Sequence, residues 1–235
     1  MTRIRDDDTD SAICIIDVIE MAALMAGDPA AAARLTETII SAADPDDIKV
    51  MVLRICSEAA PSARPPASAE PRARIYSGPT GLCQTLAYCR KPVVAQVRGD
   101  CDGIASLLAL FADITVADSH ARFFSPFDSC PEANFVIAAL TIRLERAKAW
   151  MLSAEPIGAD VALEYGLINE AVSGEALDST TLAIARRIAR IPLDAITVSK
   201  MNINACLDAM ASGMEFDMSN FFAAGMATPH HLGAE

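Results

Sequence analysis

The stretch from Arg98 to Ile114, RGDCDGIASLLALFADI, decides the fold. Just before it, KPVVAQV is a β-rich apolar run of the kind that forms a strand buried on both faces. Gly99 and Gly103 punctuate a turn, and the apolar segment from Ile104 to about Ala112 reads as a buried helix. A strand that ends in a glycine turn and restarts as a helix leaves backbone N–H groups unmet at the helix N-terminus, which suits an anion. Asp100 and Asp102 stand in that turn, where an aspartate either caps the helix or acts as an acid or base.

Upstream, SAICIIDVI reads as a β run, and DPAAAARLTETIISAA as a helix with Asp28 at the N-cap and Pro29 at the first helical position. DIKVMVLRIC is a second apolar strand. SEAAPSARPPASAEPRAR has no periodicity and is read as a loop beside a site, or a linker. A helix between Ile75 and Tyr88 follows, its start delayed by Gly78, Pro79 and Gly81.

Downstream, ADITVADS is a third strand and ARFFS a short fourth. Strands alternating with helices argue for right-handed βαβ crossovers and a mainly parallel sheet. After Pro131 the chain turns helical, with a break near Leu144, a stop at Gly166, an extended LINEAV, and a further break at Pro192 in the run from Ala176 to Met210. The expected organisation is a frayed tail over 1–11, an α/β core over 12–175 and a helical C-terminal region over 176–235.

Bulk properties exclude several functions. The 235 residues carry a net charge of −12, so the basic stripe that nucleic-acid binding needs is missing. One local cluster, Arg64, Arg72 and Arg74, is the candidate for an anionic group or is a solvated basic loop. No apolar run approaches the roughly 18–20 residues of a bilayer span, and the start of the chain has no signal-peptide core. Seven scattered cysteines without CxxC spacing, and three histidines, make no zinc set and predict a reducing, cytoplasmic setting.

The run KPVVAQVRGDCDGIASLLALFADITVADSHARF resembles the crotonase, or enoyl-CoA hydratase/isomerase, superfamily, whose members read K-P-V-I-A-A-V-x-G-x-x-x-G-G-G-x-E-L-A-x-x-C-D-I-x-I-A. Lys91, Pro92, Gly99, Gly103, Leu108, Ala109, Asp113, Ile114, Ala117 and Phe123 match without a gap. ERAKAWMLSAEPIGADVALEYGLINEAV and ARRIARIPLDAITVSKMNINACL resemble two later family segments in the same order. The resemblance implies an α/β spiral of ββα units with a helical C-terminal trimerisation region, assembled as a homotrimer or hexamer. It implies a thioester substrate, acyl-CoA or an acyl-carrier protein, and no cofactor beyond the coenzyme A or phosphopantetheine that the substrate carries.

The family's shared device is a pair of backbone N–H groups that polarise the thioester carbonyl as an enolate forms. By resemblance the donors are Ala63 in PSARP and Ile104 after Gly103, with Ser62, Gly103 and Arg64 as substrate-binding neighbours. Departures are equally clear. The two glutamates that move protons in hydratases align with Leu107 and Phe127, neither of which can do so. Ile104 and Ala105 replace glycines, and a β-branched residue disfavours positive φ. The loop after Phe127 is shortened and lacks a glycine pair.

Replacement groups are Asp128, next to the lost second glutamate, and His230, by analogy with relatives in polyketide β-branching that place a histidine near the substrate. The same residues also read as a surface aspartate and an exposed tail. No metal ligand set is expected. The resemblance therefore implies dehydration, decarboxylation or double-bond isomerisation rather than standard hydration, with a non-catalytic thioester-binding or auxiliary subunit as the alternative.

Overall fold

In the computed structural model, residues 11–25, 28–57, 81–126, 138, 141–153 and 155–209 are described. Strand β1 (Ile13–Asp17) leads through the short helix α1 (Met21–Met25) into α2 (Pro29–Ala43). Asp28 caps α2 as its pattern predicts, its carboxylate accepting from Ala30 N at 2.9 Å. β2 (Val50–Ser57), α3 (Leu82–Tyr88), β3 (Val93–Cys101), α4 (Ile104–Phe111) and β4 (Ile114–Asp118) complete the alternation. The strands pair in parallel in the order β1-β2-β3-β4, and β7 (Glu170–Val172) adds to β4. LINEAV is thus a sheet edge.

β3 belongs to two sheets. Its first seven residues pair with β2, while Asp100 and Cys101 pair instead with Arg122 and Phe123 of β5 (Arg122–Phe123). The handover falls at Gly99, whose φ of 83° turns the strand out of one sheet and into the other. β5 then takes β6 (Ile157–Gly158) antiparallel. This second, smaller sheet is the start of the expected spiral.

Alternating residues of the main sheet build two cores, because successive side chains of a strand face opposite ways. Met51, Leu53, Ile55, Ala95 and Val97 face α1, α2, α3 and α4, and all eight residues of α4 are buried there. Val50, Val52, Val94 and Val116 face α7 (Leu177–Ala189) on the other side. α5 (Leu144–Ser153) and α6 (Ala159–Tyr165) lie between the sheets' later strands in sequence, and Gly166 caps α6. The break near Leu144 is real: Arg143 has a φ of 72°. The break at Pro192 separates α7 from α8 (Leu193–Ala209).

α8 is held at its middle by charge. Lys200, 5% exposed, donates to Asp113 Oδ2 at 2.6 Å and to Lys91 O at 3.1 Å. The same Asp113 oxygen accepts from Val93 N at 2.7 Å, and Lys91 Nζ donates to Pro45 O and Ile48 O. Burial pushes the Lys91 amine below its ordinary value. The Tyr88 hydroxyl of α3 donates to Asp208 further along α8. Two of the residues that carry the family pattern, Lys91 and Asp113, thus tie the start of β3 to α8 and to the entrance of β2.

Asp113→Ala should lower stability by about 2–4 kcal/mol, because it strands the Lys200 ammonium and the Val93 N–H together. Urea unfolding measures it. The double variant with Lys200→Met should recover part of the loss.

Candidate functional site

The site turns on residues 101–107. Gly103 is the N-cap of α4, with φ 51° and ψ −117°, a conformation open to glycine and strained for any other residue. Ile104 follows in helical conformation. The positive φ therefore falls on the glycine, and the β-branched residue carries no backbone strain. This answers the steric objection to replacing a family glycine at this position.

The first turn of α4 closes through Ala105 N to Asp102 O (3.0 Å) and Leu107 N to Gly103 O (3.2 Å). Among the described residues no acceptor takes the Ile104 N–H, the expected orphan donor of a helix N-terminus. Asp100 and Asp102 do not act as the side-chain cap, since Gly103 holds that position without one. Asp100 is still within β3, opposite Arg122, and forms a two-pronged ion pair with it, one contact at 2.9 Å. Strand register, rather than the helix, claims that carboxylate.

The side chains of this turn are mostly hydrocarbon. Ile104, Ala105 and Leu107 are all fully buried, and the first turn of α4 carries no acid. Leu107 sits in the main core cluster where a hydratase of the resembled pattern has a carboxylate. Cys101 is buried beside it, and desolvation pushes its thiol far above the ordinary range, so it is neither a thiolate nor a nucleophile.

Of the other residues expected in the site, Ser62, Ala63, Arg64, Phe127, Asp128 and His230 lie outside the described residues, as do Arg72, Arg74 and Tyr76. His120 is on the surface, its side chain 92% exposed, and its backbone N–H holds the Asp118 carboxyl below the usual range. Trp150 is buried, with its indole N–H donating to Phe123 O at 3.1 Å.

Sequence reading missed Ser106. Its hydroxyl lies 2.8 Å from both Cys101 O and Phe124 O, and its one proton is shared between them. The signal was present, as the single hydroxyl in IASLLALF. A buried polar atom in an apolar helix needs a partner, and here it fastens α4 to the end of β3 and to the residue after β5.

A cavity of about 610 Å³ opens beside the ends of β1, β2 and β3, lined by Asp17, Arg54, Cys56, Gln96, Arg98 and Asp178 among others. Arg54 lies 3.6 Å from Asp17 and 3.7 Å from Asp178, and Arg98 donates to Gly174 O at 3.0 Å. It lies at the carboxyl ends of parallel strands, where open α/β sheets place ligands.

The paired sheets joined at β3 and the buried helix behind a glycine turn define a crotonase-like α/β protein. The sequence profile of enoyl-CoA hydratase/isomerase matches residues 68–228, so the chain belongs to that family. It is 33% identical over 147 residues to a short-chain-enoyl-CoA hydratase of Clostridium acetobutylicum, covering 59% of this chain and 52% of the relative. It is 30% identical over 104 residues to the trans-2-decenoyl-[acyl-carrier-protein] isomerase of Streptococcus mutans, covering 43% of this chain and 40% of that one. The crystal structure of an enoyl-CoA hydratase/isomerase from Xanthobacter autotrophicus Py2 shares the fold with a TM-score of 0.77 at 22% identity, covering 96% of this chain and 86% of that one. The matched segments span about half the length of the curated relatives.

Gly103→Ala should cost about 1–3 kcal/mol, because alanine cannot adopt the turn without strain. Leu107→Glu should restore no acid–base pair and should destabilise by an amount that grows with pH. Burial raises a folded-state carboxyl pKa, so the variant is closest to wild type below the unfolded pKa and falls behind as pH rises. Chemical denaturation at pH 4 and pH 8 gives the comparison.

Proposed function

We propose that this chain binds an acyl thioester, as acyl-CoA or on a carrier protein, with its carbonyl oxygen at the Ile104 N–H, and decarboxylates a malonyl-type thioester, one with a carboxylate on its α-carbon. The observation that carries this is the pairing of an orphan N–H behind Gly103 with a hydrocarbon wall at Leu107. Isomerisation and dehydration both require a base to take a proton from carbon. Decarboxylation requires none. As CO₂ departs, the electron pair of the broken carbon–carbon bond stays with the α-carbon and delocalises into the thioester carbonyl, giving an enolate whose oxygen the main-chain donors stabilise. A proton then returns to the α-carbon, and Asp128 or His230 is the proposed source.

An apolar wall also favours this step, because a substrate carboxylate stripped of water has less to lose on becoming CO₂. Ala63 is the proposed second donor, with Ser62 and Arg64 beside it. Arg54 and Arg98 in the cavity at the strand ends are proposed to meet the polar arm of the substrate. One oxyanion donor of this kind is worth roughly 10²–10³ in kcat. Val198, Met201 and Ile203, exposed along α8, support assembly of this region into a homotrimer or hexamer, and light scattering of the purified chain tests that.

The second reading is a non-catalytic thioester binder or auxiliary subunit. It is favoured by the complete burial of Leu107 in the core, in the seat of a proton-transferring group. Malonyl, methylmalonyl, 3-hydroxyacyl and enoyl thioesters, on CoA and on a carrier protein, separate the two when followed by mass spectrometry and calorimetry. Loss of CO₂ from the malonyl and methylmalonyl thioesters alone is the expected result. Loss or gain of water, or a double-bond shift, would overturn the decarboxylase assignment, and tight binding without turnover would establish the binder.

Ile104→Pro provides the matching test of the donor. Ile104 is the first helical residue, where proline is tolerated; the change removes the N–H together with part of a buried side chain, and Ile104→Val trims that side chain while keeping the N–H. Turnover or thioester affinity should fall about 10²–10³-fold in Ile104→Pro and stay within several-fold of wild type in Ile104→Val.

A further inference from the structure

The geometry points to Ser125 as an additional hydrogen-bond donor to the thioester oxygen, acting beside the Ile104 N–H; this rests on the thioester reading above. Ser125 is 2% exposed, and among the described residues its hydroxyl has no hydrogen-bond partner. Buried hydroxyls almost always find one, so an exception is expected where function requires it. The neighbouring groups make the exception sharper. Phe123 O accepts from the Trp150 indole, Phe124 N donates to Cys101 O at 2.8 Å, and Phe124 O lies 2.8 Å from the Ser106 hydroxyl. The polar backbone of this short segment is clamped on both sides, and the next hydroxyl along is left over.

Two contacts place that hydroxyl. Cys101 of β3 pairs in parallel with Phe123 of β5, and Phe124 N donates to Cys101 O. The Ser106 hydroxyl of α4 lies against Phe124 O, so the residue just before Ser125 is held to the first turn of the helix. The unmet hydroxyl is thus one residue from a contact with the helix turn that presents the unmet Ile104 N–H. The two groups are not bonded to each other. A carbonyl oxygen placed between these groups would take a hydrogen bond from each, and as it gains enolate charge it has room for a third, from the proposed Ala63 N–H. The hydroxyl, held by a rigid frame, would need only to rotate its proton toward the charge that develops on that oxygen. This also explains why a hydroxyl rather than a methyl group is kept in a region where Leu107, Ile104 and Ala105 are all hydrocarbon.

The test uses acetoacetyl-CoA, a β-keto thioester whose bound enolate absorbs in the ultraviolet and mimics the enolate of the proposed reaction. Wild type should bind it and raise the enolate fraction. Ser125→Ala should lower that fraction about ten-fold or more, since one oxyanion donor is lost, and Ser125→Thr should restore it in part. A structural role predicts that Ser125→Ala melts lower. The proposal predicts a melting temperature equal to or above wild type, because the variant removes a buried polar atom that had no partner. An unchanged enolate band in Ser125→Ala, with the band abolished by Ile104→Pro, overturns the Ser125 assignment and leaves the thioester reading intact. Loss of the band together with a lowered melting temperature assigns Ser125 to the framework and overturns it as well. Wild-type protein that neither binds the probe nor forms the enolate overturns both.

Discussion

The passage of β3 from one sheet to the other is the constraint on which the rest of the structure depends. For seven residues its backbone is paired with β2, and for the last two with β5. A strand cannot serve two sheets without a sharp change of direction, and Gly99 supplies it with a left-handed φ. Four residues later Gly103 makes a second turn and hands the chain to α4, buried along its whole length. The donor at Ile104 is therefore set between two sheets and a core, with no freedom to move independently of them.

The hydroxyls of this region divide their work. Ser106 satisfies two carbonyls and stitches the helix to the second sheet, whereas Ser125, one residue beyond that stitch, is left unmet. On the proposed reading, the Ile104 N–H and the Ser125 hydroxyl, both without a partner among the described residues, await an acceptor that the substrate brings. Such pre-organisation is what electrostatic stabilisation of an enolate needs, since the donors then pay no reorganisation as charge develops. Membership of the enoyl-CoA hydratase/isomerase family fits that arrangement. The hydrocarbon at Leu107 separates this chain from the glutamate-dependent pattern it resembles.

A second network lies at the opposite ends of the strands. Lys91, Asp113 and Lys200 link the entrance of β3, the exit of α4 and the middle of α8 through hydrogen bonds that also satisfy Val93 N and two carbonyls near the start of β2. It fixes the C-terminal helix without a large apolar contact: among α8 residues with described side chains, Ile196 and Lys200 are the buried ones. Much of the remaining surface of that helix is apolar and exposed, so its packing is anchored by charge rather than by area.

Local pattern was enough for most elements. The apolar runs around Val52 and Val94, the Asp28–Pro29 start of α2, the Gly166 stop and the Pro192 break are short-range signals, and each appears where the sequence placed it. That position 107 carries no ionisable group was legible too, because a side chain's chemistry does not depend on its neighbours. Tertiary structure decided what depends on register between distant segments. Asp100 and Asp102 sit in one turn and look like caps, yet pairing of β3 with β5 sets Asp100 against Arg122 and leaves the cap to Gly103. Local sequence marks Ser106 as the lone hydroxyl of an apolar helix, but it does not say which of Ser106 and Ser125 finds a partner. Only the meeting of α4, β3 and β5 gives one of them two partners and the other none.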